Sequence, residues 1–189
     1  MEKKKSFIIY YLLLCEGTTE YNLFAYLTKN KFRVIFDQSN VKFSDKVQIV
    51  EAGVFQGKLN GAGDIGSFQA KYDLIKRNYS GQKLFFVLDK DLDDSTKIEA
   101  LIHSGGDIVQ FLIHDSEYLL LKLGGKKPRE PSDFNSLKDF RYYSKVEFLK
   151  QFGKVAPKFK DSDFELIFSK LSDEEIRATF TELFATLGI

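Results

Sequence analysis

Over the first two-thirds of the chain, apolar and polar positions group into blocks with two different periods. Residues 7–15 are uncharged and rich in aromatic, Leu and Ile side chains, the pattern of a strand buried on both faces. Gly17-Thr18-Thr19 then opens a predicted helix over 20–30, with Thr18 or Thr19 as N-cap. Residues 46–51 give a second strand and 53–66 a glycine-rich loop. Phe68, Tyr72 and Ile75 recur at helical spacing and predict a helix over 68–78. A second uncharged run, 84–88, predicts another buried strand. A helix over 93–103, a strand over 108–113 and a helix from 116 to 123 follow. Strands alternating with helices imply an α/β fold, a parallel sheet with helices on both faces.

After residue 123 the pattern changes. Residues 124–133, GGKKPREPSD, are basic and rich in turn formers and read as a linker. Beyond it the periodicity is helical, over 144–152, 161–170 and 172–187. The expected organisation is therefore a domain over 6–123, a linker over 124–133 and a helical C-terminal extension over 134–189.

Composition narrows the class. Of 189 residues, 43% are hydrophobic and 29% charged, the profile of a globular chain with a real core. No apolar run reaches membrane-spanning length, so no membrane partner is expected. Met1–Ser6 and the run after it resemble a signal peptide only faintly, because Glu16 and Glu20 follow at once without a small-residue cleavage site. With no export signal, the cytoplasm is the expected compartment. A lone Cys15 allows neither an intrachain disulfide nor a Cys-type zinc site. The net charge of +1 hides an asymmetry: residues 83–121 hold eight acids and three bases, whereas residues 122–160 hold eleven bases and four acids. An acidic centre followed by a basic segment suits an enzyme acting on a polyanion, although two ordinary solvated faces would read the same way.

The candidate chemistry lies where the uncharged strands end. The first ends Cys15-Glu16-Gly17, the other Leu88-Asp89-Lys90-Asp91. Ligands of open parallel sheets sit at the carboxyl ends of the strands, so Glu16, Asp89 and Asp91 should converge there. Asp89 and Asp91, two apart, share a face in extended backbone, while Lys90 points away. Clustered carboxylates repel unless a cation neutralises them, and Mg²⁺ takes a few carboxylates plus water and substrate phosphate. The competing reading is that strand-end acids cap the next helices, a role that Asp93 and Asp94 suit better.

Glu-Gly after the first strand and Asp-x-Asp after a later one resemble the two signatures of the TOPRIM domain. The extended motif Glu16-Gly17-Thr18-Thr19-Glu20-Tyr21 is similar to that of the RloB-like and OLD-like TOPRIM branch. The segment from His114 to Leu121 resembles a late RloB-like motif, with Glu117 on the family's Glu but without its Asn-Pro pair or its Trp. The resemblance covers residues 6–123 and implies a Rossmann-like TOPRIM sheet. It also implies an Mg²⁺-dependent nuclease, with Mn²⁺ as a substitute, that hydrolyses phosphodiesters in RNA or DNA, a defence-system effector being one such use. Glu16, Asp89 and Asp91 would be catalytic and would hold the metal, with Glu20 and Glu117 as further metal-site residues. Each of the last two is also explained as an acid in the first turn of a helix. Lys122, Lys126, Lys127 and Arg129 are the candidates for binding the nucleic-acid backbone. Arg141-Tyr142-Tyr143 would stack bases or simply pack as core. The alternative is a non-catalytic TOPRIM-fold binding or sensor subunit working with a partner ATPase; a homodimer is compatible with either. Two further signals are set aside. Gly61-x-Gly63-x-x-Gly66 lacks the strand-to-helix setting of a dinucleotide fingerprint, and His103 and His114 are too isolated for zinc.

Overall fold

The computed structural model describes residues 7–90 and 94–189. Four parallel strands form one sheet in the order β2-β1-β3-β4: β1 (Ile9–Cys15), β2 (Val41–Ser44), β3 (Lys83–Asp89) and β4 (Ile108–Leu112). The two uncharged runs are the central strands. β1 pairs with β3 from Tyr11↔Lys83 to Cys15↔Val87, which places Glu16 and Asp89 at the same carboxyl edge.

Alternation along the strands divides the core in two. On one face Tyr11, Leu13, Cys15, Phe85 and Val87 pack beneath α1 (Thr18–Tyr26) and α2 (Arg33–Gln38), which are joined by a π-turn. On the other, Leu12, Leu14, Leu84, Phe86 and Leu88 pack against α3 (Ile65–Asn78) and α4 (Ser95–Ser104). The sheet thus has helices on both faces, as the βα alternation implies.

Two expectations are corrected. The second strand is Val41–Ser44, not 46–51. Val41-Lys42-Phe43-Ser44 alternates apolar and polar, which suits an edge strand. Val47 and Ile49 instead bury in the opposite core layer, where Ile49 bridges Val54 in a tight return. The N-cap of α1 is Gly17 rather than a threonine. Its bare α-carbon leaves room for the Glu20 carboxylate, which would lie 3.1 Å from a β-carbon added there.

The C-terminal helices are α5 (Ser116–Leu123), α6 (Leu137–Phe152), α7 (Asp161–Phe168), α8 (Asp173–Thr179) and α9 (Thr181–Ala185). The expected single helix over 172–187 is broken at Phe180, whose φ of −115° and ψ of 52° leave the helical region. Phe148, Phe164, Phe168, Phe180 and Phe184 belong to the same core as Leu23, Tyr26 and Phe85. A strand side chain fastens this layer: Gln110 Oε1 of β4 accepts from the backbone N–H groups of Glu182 (3.0 Å) and Leu183 (3.3 Å), capping α9 from outside the helix. No helix among the described residues is long and apolar enough to cross a membrane.

Candidate functional site

At the carboxyl edge the chain turns from β1 into α1 through Glu16 and Gly17. The Glu16 N–H donates to Val87 O at 2.9 Å, holding the residue beside β3. Its carboxylate accepts from the backbone N–H of Asp89 at 3.0 Å and from that of Ala62 at 3.4 Å. These two amides orient the Glu16 carboxylate at the edge.

The Ala62 contact comes from the glycine-rich loop. Residues 57–59 run beside the end of β1: the Cys15 N–H donates to Gly57 O, and the Leu59 N–H donates to Cys15 O. Gly57 has φ of +69°, and a β-carbon there would fall 2.4 Å from Leu13 O, so only glycine permits this approach. Lys71 of α3 ties the loop down through Leu59 O (2.9 Å) and Gly61 O (2.7 Å). The loop therefore reaches the predicted edge as a pinned wall supporting Glu16.

A cleft of about 320 Å³ opens at this edge. Its lining includes Glu16 to Glu20, Asp89, Asp115 to Glu117, Arg141 and Lys145. Glu20 and Glu117 are both buried, at 4% and 8% exposure, although each stands in the first turn of a helix, where acids are usually solvated. Burial pushes the Glu20 carboxyl up to about 6. A hydrogen bond from Ser116 and one from the Glu20 backbone oppose the rise, and the charges of Glu16 and Glu117 add to it. Asp115 is also buried and caps α5, accepting from the Tyr118 N–H at 2.7 Å. The turn that presents it places His114 at φ of +59°, a backbone region uncommon for histidine. The His114 ring packs edge-on against Tyr118 and Phe140.

Four of the predicted acids, Glu16, Glu20, Asp89 and Glu117, thus line one cleft; Asp91 and Asp93 lie outside the described residues. Lys90 packs over the Phe111 ring and lines a different hollow, in keeping with its expected direction away from Asp89. Asp94 sits at the N-cap position of α4, but its carboxylate does not cap that helix. It accepts instead from the Ile65 N–H at the start of α3 (3.1 Å) and from Lys97 (2.8 Å).

The predicted basic residues are not on the cleft lining. Lys122 pairs with Glu130 at 3.0 Å, and Lys126 lies over the Phe152 ring beside another hollow. The exposed Lys127 is likewise outside it. The Arg129 guanidinium lies 4.4 Å from the Phe134 ring centroid and donates to Asp133 O at 2.8 Å. The cations at the cleft are Arg141 and Lys145, one helical turn apart on α6. Their i, i+4 spacing was visible in the sequence, but only the packing of α6 beside α5 brings that face to the acids. Asp115 was likewise missed; its spacing from Glu117 matches that of Asp89 from Asp91, and a strand-end reading applied evenly would have included it.

The donor set is made of hard oxygens, the chemistry Mg²⁺ prefers. Burial, with the charges of Glu16 and Glu117 adding to it, raises the Glu20 carboxyl, and a bound cation would relieve that. Among the described residues, no group of three or more His, Cys, Asp or Glu side chains is already arranged to hold a metal ion. No protein-family model, curated protein or solved structure matches the chain.

Proposed function

We propose that the chain is a metal-dependent phosphodiesterase of TOPRIM type acting on nucleic acid. The observation that supports it is the meeting of Glu16, Glu20, Asp89 and Glu117 in one open cleft that Arg141 and Lys145 also line. In this reading Glu16 and Asp89, with Asp91, hold Mg²⁺ or Mn²⁺, and Glu20 and Glu117 complete its surroundings. When bound, the ion polarises the scissile phosphate and orients a water.

The protein's own residues do the rest. The Asp89 and Ala62 amides fix the Glu16 carboxylate at one wall. Arg141 and Lys145 attract the phosphates into an otherwise acidic cleft and set their position. Glu20, whose carboxyl burial raises to about 6 without the ion, would be held as a carboxylate once a cation binds beside it.

The other reading is a binding or sensor module on the same fold. Both readings meet in one experiment, a titration of Mg²⁺ and Mn²⁺ followed by melting temperature and by cleavage of labelled RNA and DNA. At about a hundredfold excess over Kd, the ion should raise the melting temperature by roughly 5–10 °C. Asp89→Ala/Asp91→Ala should lose that response, and Glu16→Gln should lose cleavage while staying folded. Melting that ignores both ions, together with intact substrates, would leave the binding module as the surviving reading.

A further inference from the structure

The cations of the cleft share their helix with a feature that the carboxylate site does not use. Tyr142, next to Arg141 on α6, is 73% exposed, and Val146 and Leu149 follow it at helical spacing, each 47% exposed. The inner stripe of the same helix, Phe140, Ser144 and Phe148, is buried. The helix therefore carries an apolar stripe on its outer side as well, beginning with Tyr142, the residue after the cleft-lining Arg141. Its neighbour Tyr143 is committed elsewhere: its hydroxyl accepts from the Arg129 N–H at 2.9 Å, and its ring lies against Phe134.

Cations beside an exposed aromatic ring match a ligand that alternates phosphates with flat apolar faces. Single-stranded nucleic acid has that chemistry, whereas a duplex buries its base faces in its own stack. We propose that this side of α6 is a single-strand subsite. Arg141 and Lys145 neutralise backbone phosphates entering the cleft, and Tyr142 stacks one unpaired base just outside it, with Val146 and Leu149 continuing the apolar track. The proposal rests on the nucleic-acid reading above and names its substrate as single-stranded.

The test is fluorescence anisotropy of the full chain with labelled single-stranded RNA, single-stranded DNA and a matched duplex, with Ca²⁺ as the divalent ion. A single strand should bind at least about tenfold more tightly than the duplex. Tyr142→Ala should weaken single-strand binding by about tenfold and leave duplex binding unchanged, whereas Tyr142→Phe should keep the affinity, because stacking needs the ring and not the hydroxyl. Equal affinity of Tyr142→Ala and wild type for the single strand, or a preference for duplex, would overturn the subsite and spare the nuclease reading. Absence of binding to all three probes would remove both. If Tyr142→Ala converts a dimer to a monomer with oligonucleotide affinity intact, the stripe is a self-contact and the subsite is wrong.

Discussion

The two edges of one sheet treat buried acid in opposite ways. At the amino edge, Asp107 is 4% exposed and fully answered: it accepts from the Tyr72 hydroxyl (2.6 Å), the Lys76 ammonium (2.9 Å) and the Leu84 N–H (2.9 Å). At the carboxyl edge, Glu20 is equally buried, and that burial raises its carboxyl, with the charges of Glu16 and Glu117 adding to the rise. The first arrangement supplies as much positive charge and as many donors as the carboxylate needs, and it joins α3 to β3 and β4. The second gathers Glu16, Glu20, Asp89, Asp115 and Glu117 at one cleft, with Arg141 and Lys145 on the same lining. A buried carboxyl raised in this way marks the carboxyl edge as a candidate functional site.

Removing Asp107 should give the largest effect on stability. Asp107→Ala strands the Leu84 N–H, the Tyr72 hydroxyl and a partly buried ammonium, and should cost about 3–5 kcal/mol in urea unfolding. A cost below about 1 kcal/mol would erase the distinction between the edges.

Glu20→Gln should do the reverse. The Glu20 carboxyl is raised from 4.5 to about 6 in the folded chain, so the native state holds its proton more tightly than the unfolded state. Its stabilising contribution is complete below about pH 4.5 and is lost as pH rises through about 6. The loss is on the order of 2 kcal/mol. Unfolding free energies measured without metal between pH 4.5 and 7 should show this decline in wild type and a flatter profile in Glu20→Gln. Identical profiles would mean that burial at the carboxyl edge does not raise the Glu20 carboxyl.

Gln110→Ala tests the attachment of the C-terminal helices to the sheet. It removes the acceptor for two N–H groups at the start of α9 and should cost about 1–2 kcal/mol. Hydrogen exchange should rise first at Glu182 and Leu183; unchanged protection there would show that packing alone seats the helix. The smallest effect distinguishes the two sets of cations. Lys145→Ala should weaken oligonucleotide binding and reduce its salt slope by about 1, whereas Lys126→Ala, away from the cleft, should leave the slope unchanged. Equal effects would move the nucleic-acid path from α6 to the segment after α5.

How much was legible in advance follows from which forces are local. The uncharged runs at β1 and β3 could only be central strands, because a charge-free stretch of alternating faces must be covered on both sides. Their ends then located Glu16 and Asp89 at one edge. Glu20 and Glu117 were legible only as acids at helix starts, since sequence position does not say whether a first-turn carboxylate faces solvent or a cleft. The strand at 41–44 was hidden by the more hydrophobic stretch after it, where Val47 and Ile49 serve the opposite core layer. The placement of the basic residues was hidden for a related reason: a run of Lys and Arg announces charge but not direction, and Lys122, Lys126 and Arg129 turn to Glu130, Phe152 and Phe134, off the cleft lining.

By itself the sequence determined the parallel α/β layering, the central strands and the two acids at their ends, all of which follow from hydrophobic period and strand polarity. Only the tertiary structure decided that Ala62 of the glycine-rich loop supports Glu16, that Asp115 and Glu117 are buried beside Glu20, and that α6 supplies the cations and an exposed Tyr142. Those pairings join residues between about 45 and 125 positions apart, and no local preference encodes which faces meet when α5 and α6 close over the sheet.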